Sequence, residues 1–326
     1  MPVDAPPAAV EAQAAVGATG GPADPEGSSA KRGLGAVGWV AASWLIFVIL
    51  VAFLAPVLES TEIIKDPVSA DAEAGPGAPL FTEGHILGTD KSRRDVLSRL
   101  VWGARSSLIV GVGAVAVGML VGGALGLISG FRRGRADTAL SSLFDILLAF
   151  PQLVLALSLV AFLKPPPPEV ATDGDVVEAA GGLTAIQILI IAIGIVAIPL
   201  LARITRATSL TWSQREFVLA GRAQGARGLR LMIREVLPNV LPAMFSVALL
   251  SIGIAIIAEG GLSVLGVGVE PPQASWGNMI AENRSVNRDP LNALFVPMVV
   301  VFFTVMALNY LGDAVRERFD VRESSL

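Results

Sequence analysis

Few side chains in this sequence have the chemistry of a catalyst or of a metal ligand. The chain contains one histidine, His85, and no cysteine, which argues against a zinc or copper site, although carboxylates could still bind hard cations. Two carboxylates, Asp145 and Glu259, interrupt long apolar stretches. A membrane enzyme needs a nucleophile, a base or paired acids grouped at one depth, and these two residues are isolated. The pattern therefore predicts neither a catalytic residue nor a metal site.

One stretch has the pattern of a charged docking element instead. It is EFVLAGRAQGARGLRLMIREVLPNVLP at residues 216–242. Ser213 and Glu216 have the spacing of a capping box, which predicts a helix that starts at about Gln214. Gly225 suits the left-handed stop of that helix. A second helix is predicted to have an apolar face and an opposite basic face. The apolar face comprises Leu229, Met232, Ile233 and Val236, and the basic face comprises Arg227, Arg230 and Arg234.

The first of these helices presents an apolar surface, Phe217, Val218, Leu219 and Ala220, that the loop alone cannot bury. A partner protein is the natural cover for such a surface. The alternative is that the arginines only hold this loop on the inner side of the membrane, since positively charged loops are common on the inner side of membrane proteins. The capping box, the glycine and the apolar face favour the docking element.

These residues belong to a chain with the composition of an integral membrane protein. Of its 326 residues, 53% are hydrophobic and 16% are charged, whereas about 25% are charged in soluble domains. A bilayer core needs about 20 apolar residues in a helix, and six segments of that length predict an all-α protein with six transmembrane helices. They are Gly33–Leu58, Ser106–Phe131, Thr138–Leu163 (with Asp145), Gly181–Ala202, a segment within Val236–Val269 (with Glu259), and Leu291–Gly312.

The positive charges orient these helices. With the N-terminus in the cytoplasm, fifteen of the 24 basic residues fall in inner segments, and this bias favours cytoplasmic N- and C-termini. Residues 1–32 are predicted to be a disordered cytoplasmic tail rather than a signal peptide, and residues 314–326 are the other cytoplasmic tail. Residues 33–58 are the first transmembrane helix. Residues 106–313 are the membrane core, whose basic loop occupies residues 203–238.

Two outer loops have their own patterns. Within residues 59–105, the stretch TDKSRRDVLSRLVWGAR predicts a short amphipathic helix in the outer interface, with Thr89 or Asp90 as its N-cap. Its apolar face comprises Val96, Leu97, Leu100, Val101 and Ala104. The second outer loop, KPPPPEVATDGDVVEAAGG, is predicted to be a flexible insertion.

The second span carries glycines four residues apart, at Gly118, Gly122, Gly126 and Gly130. Such a face has no side chains, so another helix can approach it closely. The alternative reading of this face is a sliding surface that repacks during a functional cycle.

The basic loop resembles the EAA motif of the membrane subunits of binding-protein-dependent ABC importers. That motif is Glu-Ala-Ala, three residues, Gly, eleven residues and Leu-Pro. Here Leu-Ala-Gly at residues 219–221 is followed at the same spacing by Gly225 and by Leu-Pro at residues 237–238. Leu219 replaces the glutamate and Gly221 replaces the second alanine, whereas the docking helix and its glycine are kept.

Other stretches resemble the C-type permease subunit of dipeptide, oligopeptide and nickel importers. They are LGTDKSRRDVLSRLVWGARSSL, FDILLAFPQLVLAL with Asp145 and Pro151, AEGGLSVLGVGVEPPQASWGNMI, and NYLGDAVRERFDVR. Arg93 stands where that family usually has glycine. The resemblance covers the chain from Lys31 to Arg322, apart from two acidic insertions.

The resemblance implies the fold of a type I ABC importer transmembrane domain (MetI-like) in the lipid bilayer of the bacterial inner membrane. It implies a heterodimer with a homologous permease subunit, two cytoplasmic ABC ATPases, an extracytoplasmic peptide-binding protein and a peptide substrate, with no nucleic acid. The sequence lacks a Gly-x-x-x-x-Gly-Lys-Ser/Thr loop, so ATP would be bound by the partner subunits and this chain would need no cofactor. The residues expected to enter a cleft on an ATPase are Glu216, Phe217, Ala220, Gly221, Arg222, Ala223, Gly225 and Ala226.

Alternatives stay open for the two intramembrane carboxylates and for the solute. Asp145 is predicted to be structural and within reach of Arg132 or Arg135. Glu259 either faces the pathway and contacts the amino end of a peptide or bonds to the backbone of an opened helix. The solute is a peptide or, alternatively, chelated nickel or glutathione. A polytopic membrane enzyme and an ion channel are the competing classes, and the scarcity of polar residues inside the spans disfavours both.

Overall fold

The structure of the chain, a computed structural model, describes residues 35–164, 183–284 and 291–323, with side chains described up to residue 318. The predicted N-terminal tail and nearly all of the proline-rich outer loop lie outside these residues. The long elements are α-helices, numbered here in chain order. They are α1 Ala36–Ser60, α2 Val96–Arg132, α3 Arg135–Ala149, α4 Gln152–Leu163, α5 Ala185–Trp212, α6 Glu216–Ala223, α7 Gly228–Leu231, α8 Leu237–Val264, α9 Trp276–Glu282 and α10 Leu291–Glu323, with a π turn at Met232–Val236.

The described residues contain five helical runs that are long and apolar enough to cross a membrane, namely α1, α2, α5, the run from α7 to α8, and α10. Helices α3 and α4 together have the length and composition of a sixth span, but they meet at an angle of 92°. The helices that face outwards carry large exposed apolar side chains, such as Phe53 and Phe302, which suits contact with lipid. The prediction of an all-α membrane protein is confirmed, and the predicted six spans are reached when the bent pair α3–α4 counts as one span.

The predicted third span, Thr138–Leu163, is not one helix. Phe150 has φ −77° and ψ 138°, so α3 ends before it and α4 begins at Gln152. The cause is Pro151, because a proline lacks a backbone N–H and disfavours helical geometry in the residue before it. The prediction of an unbroken helix is therefore wrong, and the apolar length is divided into arms of 15 and 12 residues.

Helix α2 is continuous over 37 residues, so the prediction of a separate interfacial helix before the second span is wrong. No proline and no left-handed glycine interrupts the sequence where the interfacial helix was expected to end, and the helix continues into the apolar segment. The N-cap is Asp95 rather than Thr89 or Asp90. Its carboxylate accepts hydrogen bonds from the backbone N–H of Ser98 at 2.7 Å and from the hydroxyl of the same residue at 2.6 Å.

The glycines of α2 form its contact with α5. A Cβ atom added at Gly126 would lie 2.3 Å from the carbonyl oxygen of Ala202, and one added at Gly130 would lie 2.5 Å from that of Arg206. Only glycine lets two helix backbones approach this closely, so the predicted close approach is confirmed. The contacts advance in the same direction along both helices, and α2 and α5 therefore run parallel.

The remaining helices define two ends of the bundle. Helix α8 is antiparallel to α2, because Gly123 faces Met244 near the start of α8 while Gly111 faces Ile256 near its end. One end, called the basic end here, carries α6, α7 and the C-terminal ends of α2 and α5. The opposite end carries α9 and residues 61–95, which are called the cap.

The substitution Gly126→Ala is expected to destabilise the protein, because the new methyl group would collide with a backbone carbonyl. Overpacking of this kind costs about 1–3 kcal/mol. Thermal unfolding of the purified protein in detergent should therefore show a lower midpoint. The matched control is Gly228→Ala, where an added Cβ would lie 3.6 Å from the Phe131 ring, an ordinary contact. Equal midpoints for the two variants would contradict the packing role of Gly126.

Candidate functional site

The basic loop folds into a projection at the basic end, called the knob here, which comprises residues 216–236. Its first helix, α6, begins at Glu216, later than predicted. The predicted capping box is wrong, because the hydroxyl of Ser213 donates to the carbonyl of Leu210 at 2.9 Å. Helix α5 continues to Trp212, so Ser213 caps the end of α5 and does not start α6.

Gly225 ends α6 in the left-handed conformation, as predicted, with φ +80°. The backbone N–H of Ala226 donates to the carbonyl of Gly221 at 3.0 Å, and the N–H of Gly225 donates to the carbonyl of Arg222 at 3.0 Å. These two bonds form a Schellman motif. They satisfy the last carbonyls of α6 and turn the chain into α7.

The second helix of the knob differs from the prediction. Helix α7 is a single turn, Gly228–Leu231, that passes through the π turn at Met232–Val236 into α8. A π turn is wider than an α-helical turn and shifts the faces of the helix. Of the predicted apolar face, Val236 is buried whereas Leu229 and Ile233 are exposed.

Four large apolar side chains of the knob are exposed to solvent. Phe217, Leu219, Leu229 and Ile233 have 42, 50, 63 and 49% of their surface accessible. Val218 is instead fully buried in a small core with α2 and α8. The knob is therefore anchored on one side and, among the described residues, uncovered on the other. Exposed apolar surface of this extent is typical of a protein interaction site.

The eight residues predicted to enter an ATPase cleft all lie on α6 and its C-terminal turn. Gly221 packs inwards, because a Cβ there would lie 2.7 Å from Cδ2 of Leu231, and this glycine sets the distance between α6 and α7. The other seven are exposed or half-buried: Glu216, Phe217, Ala220, Arg222, Ala223, Gly225 and Ala226.

A groove of about 320 Å³ runs beside the knob. Its lining includes Arg132, Arg133 and Arg222 and contains no carboxylate. The guanidinium of Arg222 lies 5.1 Å from the centre of the Phe131 ring, which is a cation–π contact. Arg132, the last residue of α2, and Arg133, its C-cap, could not be linked to the knob from the sequence, because they lie about eighty residues before it in the chain and nothing local indicates the contact.

Asp145 pairs with a different arginine from those predicted. Its carboxylate lies 3.7 Å from Nη1 of Arg203, and both side chains are largely exposed, so the predicted reach to Arg132 or Arg135 is wrong. The bend between α3 and α4 places Asp145 beside α5. The tighter ion pair of this region joins Asp137 and Arg206. The carboxylate of Asp137 accepts a hydrogen bond from Nη2 of Arg206 at 2.7 Å.

Glu259 is fully buried and lies where α2, α8 and the start of α9 meet. It accepts hydrogen bonds from the hydroxyls of Ser275 at 2.7 Å, Ser263 at 2.9 Å and Ser107 at 3.3 Å. The backbone N–H of Gly277 also donates to it. In this structure Glu259 bonds to a helix start rather than facing an open cavity.

The single histidine lies inside the cap. His85 is buried, with Nδ1 at 2.9 Å from a carboxylate oxygen of Asp95 and Nε2 at 3.1 Å from one of Asp71. A hydrogen bond from Lys65 holds the pKa of the Asp71 carboxyl well below its usual range. These contacts link the cap to Asp95, the N-cap of α2, and His85 therefore has a structural role.

Buried charges fasten the cap to α9. The fully buried guanidinium of Arg99 donates from Nη2 to Glu282 at 2.9 Å and lies 3.5 Å from Asp90. Arg94 bonds to the same two carboxylates, at 2.8 Å to Asp90. Nothing local in the sequence shows this cluster, because Arg99 and Glu282 are 183 residues apart.

This arrangement defines a class of protein: a helical membrane protein with a basic projection at one end of the bundle. The chain belongs to the family of binding-protein-dependent transport system inner membrane components, which matches residues 122–324. It is a membrane-spanning permease subunit of an ABC importer in the bacterial inner membrane. Subunits of this family work with a partner permease, ATPase subunits and a binding protein.

Similar proteins agree with this assignment. A di/tripeptide transport system permease protein DppC of Pseudomonas aeruginosa is 38% identical over 246 residues, covering 74% of this chain and 75% of its own. A glutathione transport system permease protein GsiD of Pectobacterium atrosepticum is 32% identical over 244 residues, covering 75% of each chain. The inward-facing MetNI methionine ABC transporter shares the fold, with a TM-score of 0.54 and 18% identity over 68% of this chain and 96% of that one.

Removing one residue of the buried charge cluster between the cap and α9 should lower the free energy of unfolding. Glu282→Ala leaves the guanidinium of Arg99 without its closest carboxylate, and breaking a buried pair in this way costs about 3 kcal/mol. The matched control is Glu270→Ala, which breaks a half-exposed pair with Lys164 and should cost less than about 1 kcal/mol. Thermal unfolding in detergent measures both, and a Glu282→Ala midpoint as high as the control's would show that the cluster contributes little.

Proposed function

We propose that this chain forms, with a homologous permease subunit in a heterodimer, the pathway for uptake of dipeptides and short oligopeptides. Two ABC ATPase subunits in the cytoplasm bind and hydrolyse ATP, and an extracytoplasmic peptide-binding protein delivers the substrate. This chain then has no catalytic residue and no cofactor of its own. The relatives named for dipeptides and for di/tripeptides, at 34% and 38% identity, support the choice of substrate.

The knob is the observation that carries the coupling part of this proposal. Within the knob, α6 ends in a Schellman turn at Gly225. Phe217 and Leu219 are exposed, while Val218 anchors the knob to the bundle. An exposed apolar helix held rigidly by its neighbours suits insertion into a groove of a partner protein. We assign that partner as an ATPase, with the eight predicted site residues at the contact.

The knob is continuous with α8, so ATP-driven closure of the ATPases would push on a membrane helix directly. The basic end faces the cytoplasm in this proposal, because the arginines of the knob and of the α2 end follow the positive-inside rule. Both termini then lie in the cytoplasm. The cap and α9 lie on the outer side, where the binding protein docks.

Glutathione is the second candidate substrate, and the glutathione-named relative at 32% identity favours it over chelated nickel. Purified complex with its binding protein should show faster ATP hydrolysis with di- or tripeptides than with glutathione at equal concentration. Nickel chelates at the same concentration serve as the further comparison. If only glutathione stimulated ATP hydrolysis, the assigned substrate would be glutathione. If none of these solutes stimulated it, the peptide proposal would be contradicted.

Gly225→Val is expected to leave the protein in the membrane and to uncouple transport from ATP hydrolysis. A β-branched side chain cannot adopt the left-handed conformation without strain of about 1–3 kcal/mol, so α6 loses its stop. Gly225→Asn is the matched control, because asparagine tolerates this conformation. Peptide uptake and cross-linking from a single cysteine, Ala223→Cys, measure the effect in native vesicles.

The wild-type background contains no other cysteine, so any cross-link reports position 223. The cysteine should capture an ATPase subunit in the Gly225→Asn background and not in the Gly225→Val background. Normal uptake by Gly225→Val, or the absence of any ATPase cross-link in the wild-type background, would overturn the docking role of the knob.

A further inference from the structure

We propose that Glu259 is the joint that fixes the short helix α9 to α8, so that displacement of the knob is transmitted along α8 to the cap. The consequence for transport rests on the proposed function above, whereas the joint itself rests on geometry alone. The joint makes Glu259 a positioning residue and not a contact for substrate.

The hydrogen bonds around Glu259 form a closed set. The hydroxyl of Ser107 accepts from the backbone N–H of Trp276 at 3.1 Å, and that of Ser275 accepts from the backbone N–H of Asn278 at 3.0 Å. Each hydroxyl has one proton, and in both residues it goes to Glu259. The carboxylate is therefore the common acceptor for α2 and α9. Glu259 itself is fully buried, so no solute can reach its carboxylate in this structure.

At position 277 the joint has room only for glycine. A Cβ atom added at Gly277 would lie 2.6 Å from the Cα of Gly260 and 3.0 Å from a carboxylate oxygen of Glu259. The first turn of α9 therefore lies directly on α8, with no side chain between them. Contact this close, combined with hydrogen bonds to a charged group, holds α9 in one position on α8.

The same joint lies on a continuous route between the two ends of the bundle. The helical run from α7 through α8 covers Gly228–Val264 and joins the knob to Glu259 without a loop. Beyond the joint, α9 ends at Glu282, which bonds to Arg99 of α2 and to Arg94 of the cap. The run has 37 residues and therefore extends over about 55 Å at roughly 1.5 Å per residue. The knob and the cap are thus connected through two buried polar sites.

The joint is tested with the complete transporter, this chain with its partner subunits and binding protein, in proteoliposomes. Glu259→Ala should reduce the stimulation of ATP hydrolysis by peptide-loaded binding protein about tenfold relative to the basal rate, since hydrogen bonds to a charged group are lost. Glu259→Gln should keep most of the stimulation, because its carbonyl oxygen can still accept from Ser263 and Ser275. Ser251→Ala, on the same helix and with a buried hydroxyl that has no partner among the described residues, is the matched control and should match wild type.

A distance measurement separates the joint from a general loss of stability. Spin labels at Glu73→Cys in the cap and Leu265→Cys at the end of α8 can be placed specifically, because the chain has no native cysteine. The distance distribution should stay narrow, with and without ATP, in wild type and in Glu259→Gln, and should broaden in Glu259→Ala. If Glu259→Ala does not fold, the variant Ser275→Ala takes its place in both assays, because it removes one hydrogen bond of the joint.

Full stimulation in Glu259→Ala, or lost stimulation with an unchanged narrow distribution, would overturn the joint. A wild-type complex that no peptide-loaded binding protein stimulates would instead overturn the proposed function. The distance distributions would still decide the joint in that case, since they depend on the fold of this chain and not on its substrate.

Discussion

Charged groups inside an apolar bundle must find their partners within the protein, and this constraint governs how the helices of this chain meet. Glu259 takes its donors from α2, α8 and the start of α9. Arg99 takes its acceptors from the cap and from the end of α9. At the basic end, Asp137 joins α3 to α5 through Arg206. Removing an acceptor of Arg99 leaves a buried charge uncompensated. Together these sites fix the relative positions of helices that apolar contacts alone would allow to slide.

The glycine contact between α2 and α5 complements the polar sites. It brings two backbones together at Gly126 and Gly130. Between these glycines the hydroxyl of Ser209 on α5 donates to the carbonyl of Leu127 on α2 at 3.1 Å, so the contact sets both the distance between the helices and their relation along the axis. The knob is attached differently. Val218 holds it to the bundle through one small core, and the π turn leads from it straight into α8. A force applied to the knob therefore reaches α8 directly through the chain and reaches α2 through this core.

Features determined by neighbouring residues could be predicted from the sequence, and features determined by tertiary contacts could not. The left-handed stop at Gly225 and the glycine face of α2 follow from local rules, as does the number of apolar segments. Ser213 was assigned to the wrong helix because its spacing to Glu216 matches a capping box, whereas α5 continues to Trp212. The break at Pro151 carried a local signal that the hydropathy pattern masked. The partners of Glu259 carried none, because Ser107 lies 152 residues away and serine is common in loops and helices alike.

Leu219 shows how one departure from the EAA pattern changes the surface that a partner must match. It replaces the motif's glutamate and lines the groove that contains Arg132, Arg133 and Arg222. A carboxylate at this position would offset part of that positive charge, whereas leucine leaves the groove basic and extends the exposed apolar surface beside Phe217. A matching surface must then combine an apolar pocket with negative charge. For the ATPase docking proposed above, a neutral or basic surface would desolvate the guanidinium groups without compensation, so the proposal favours an acidic-rimmed pocket.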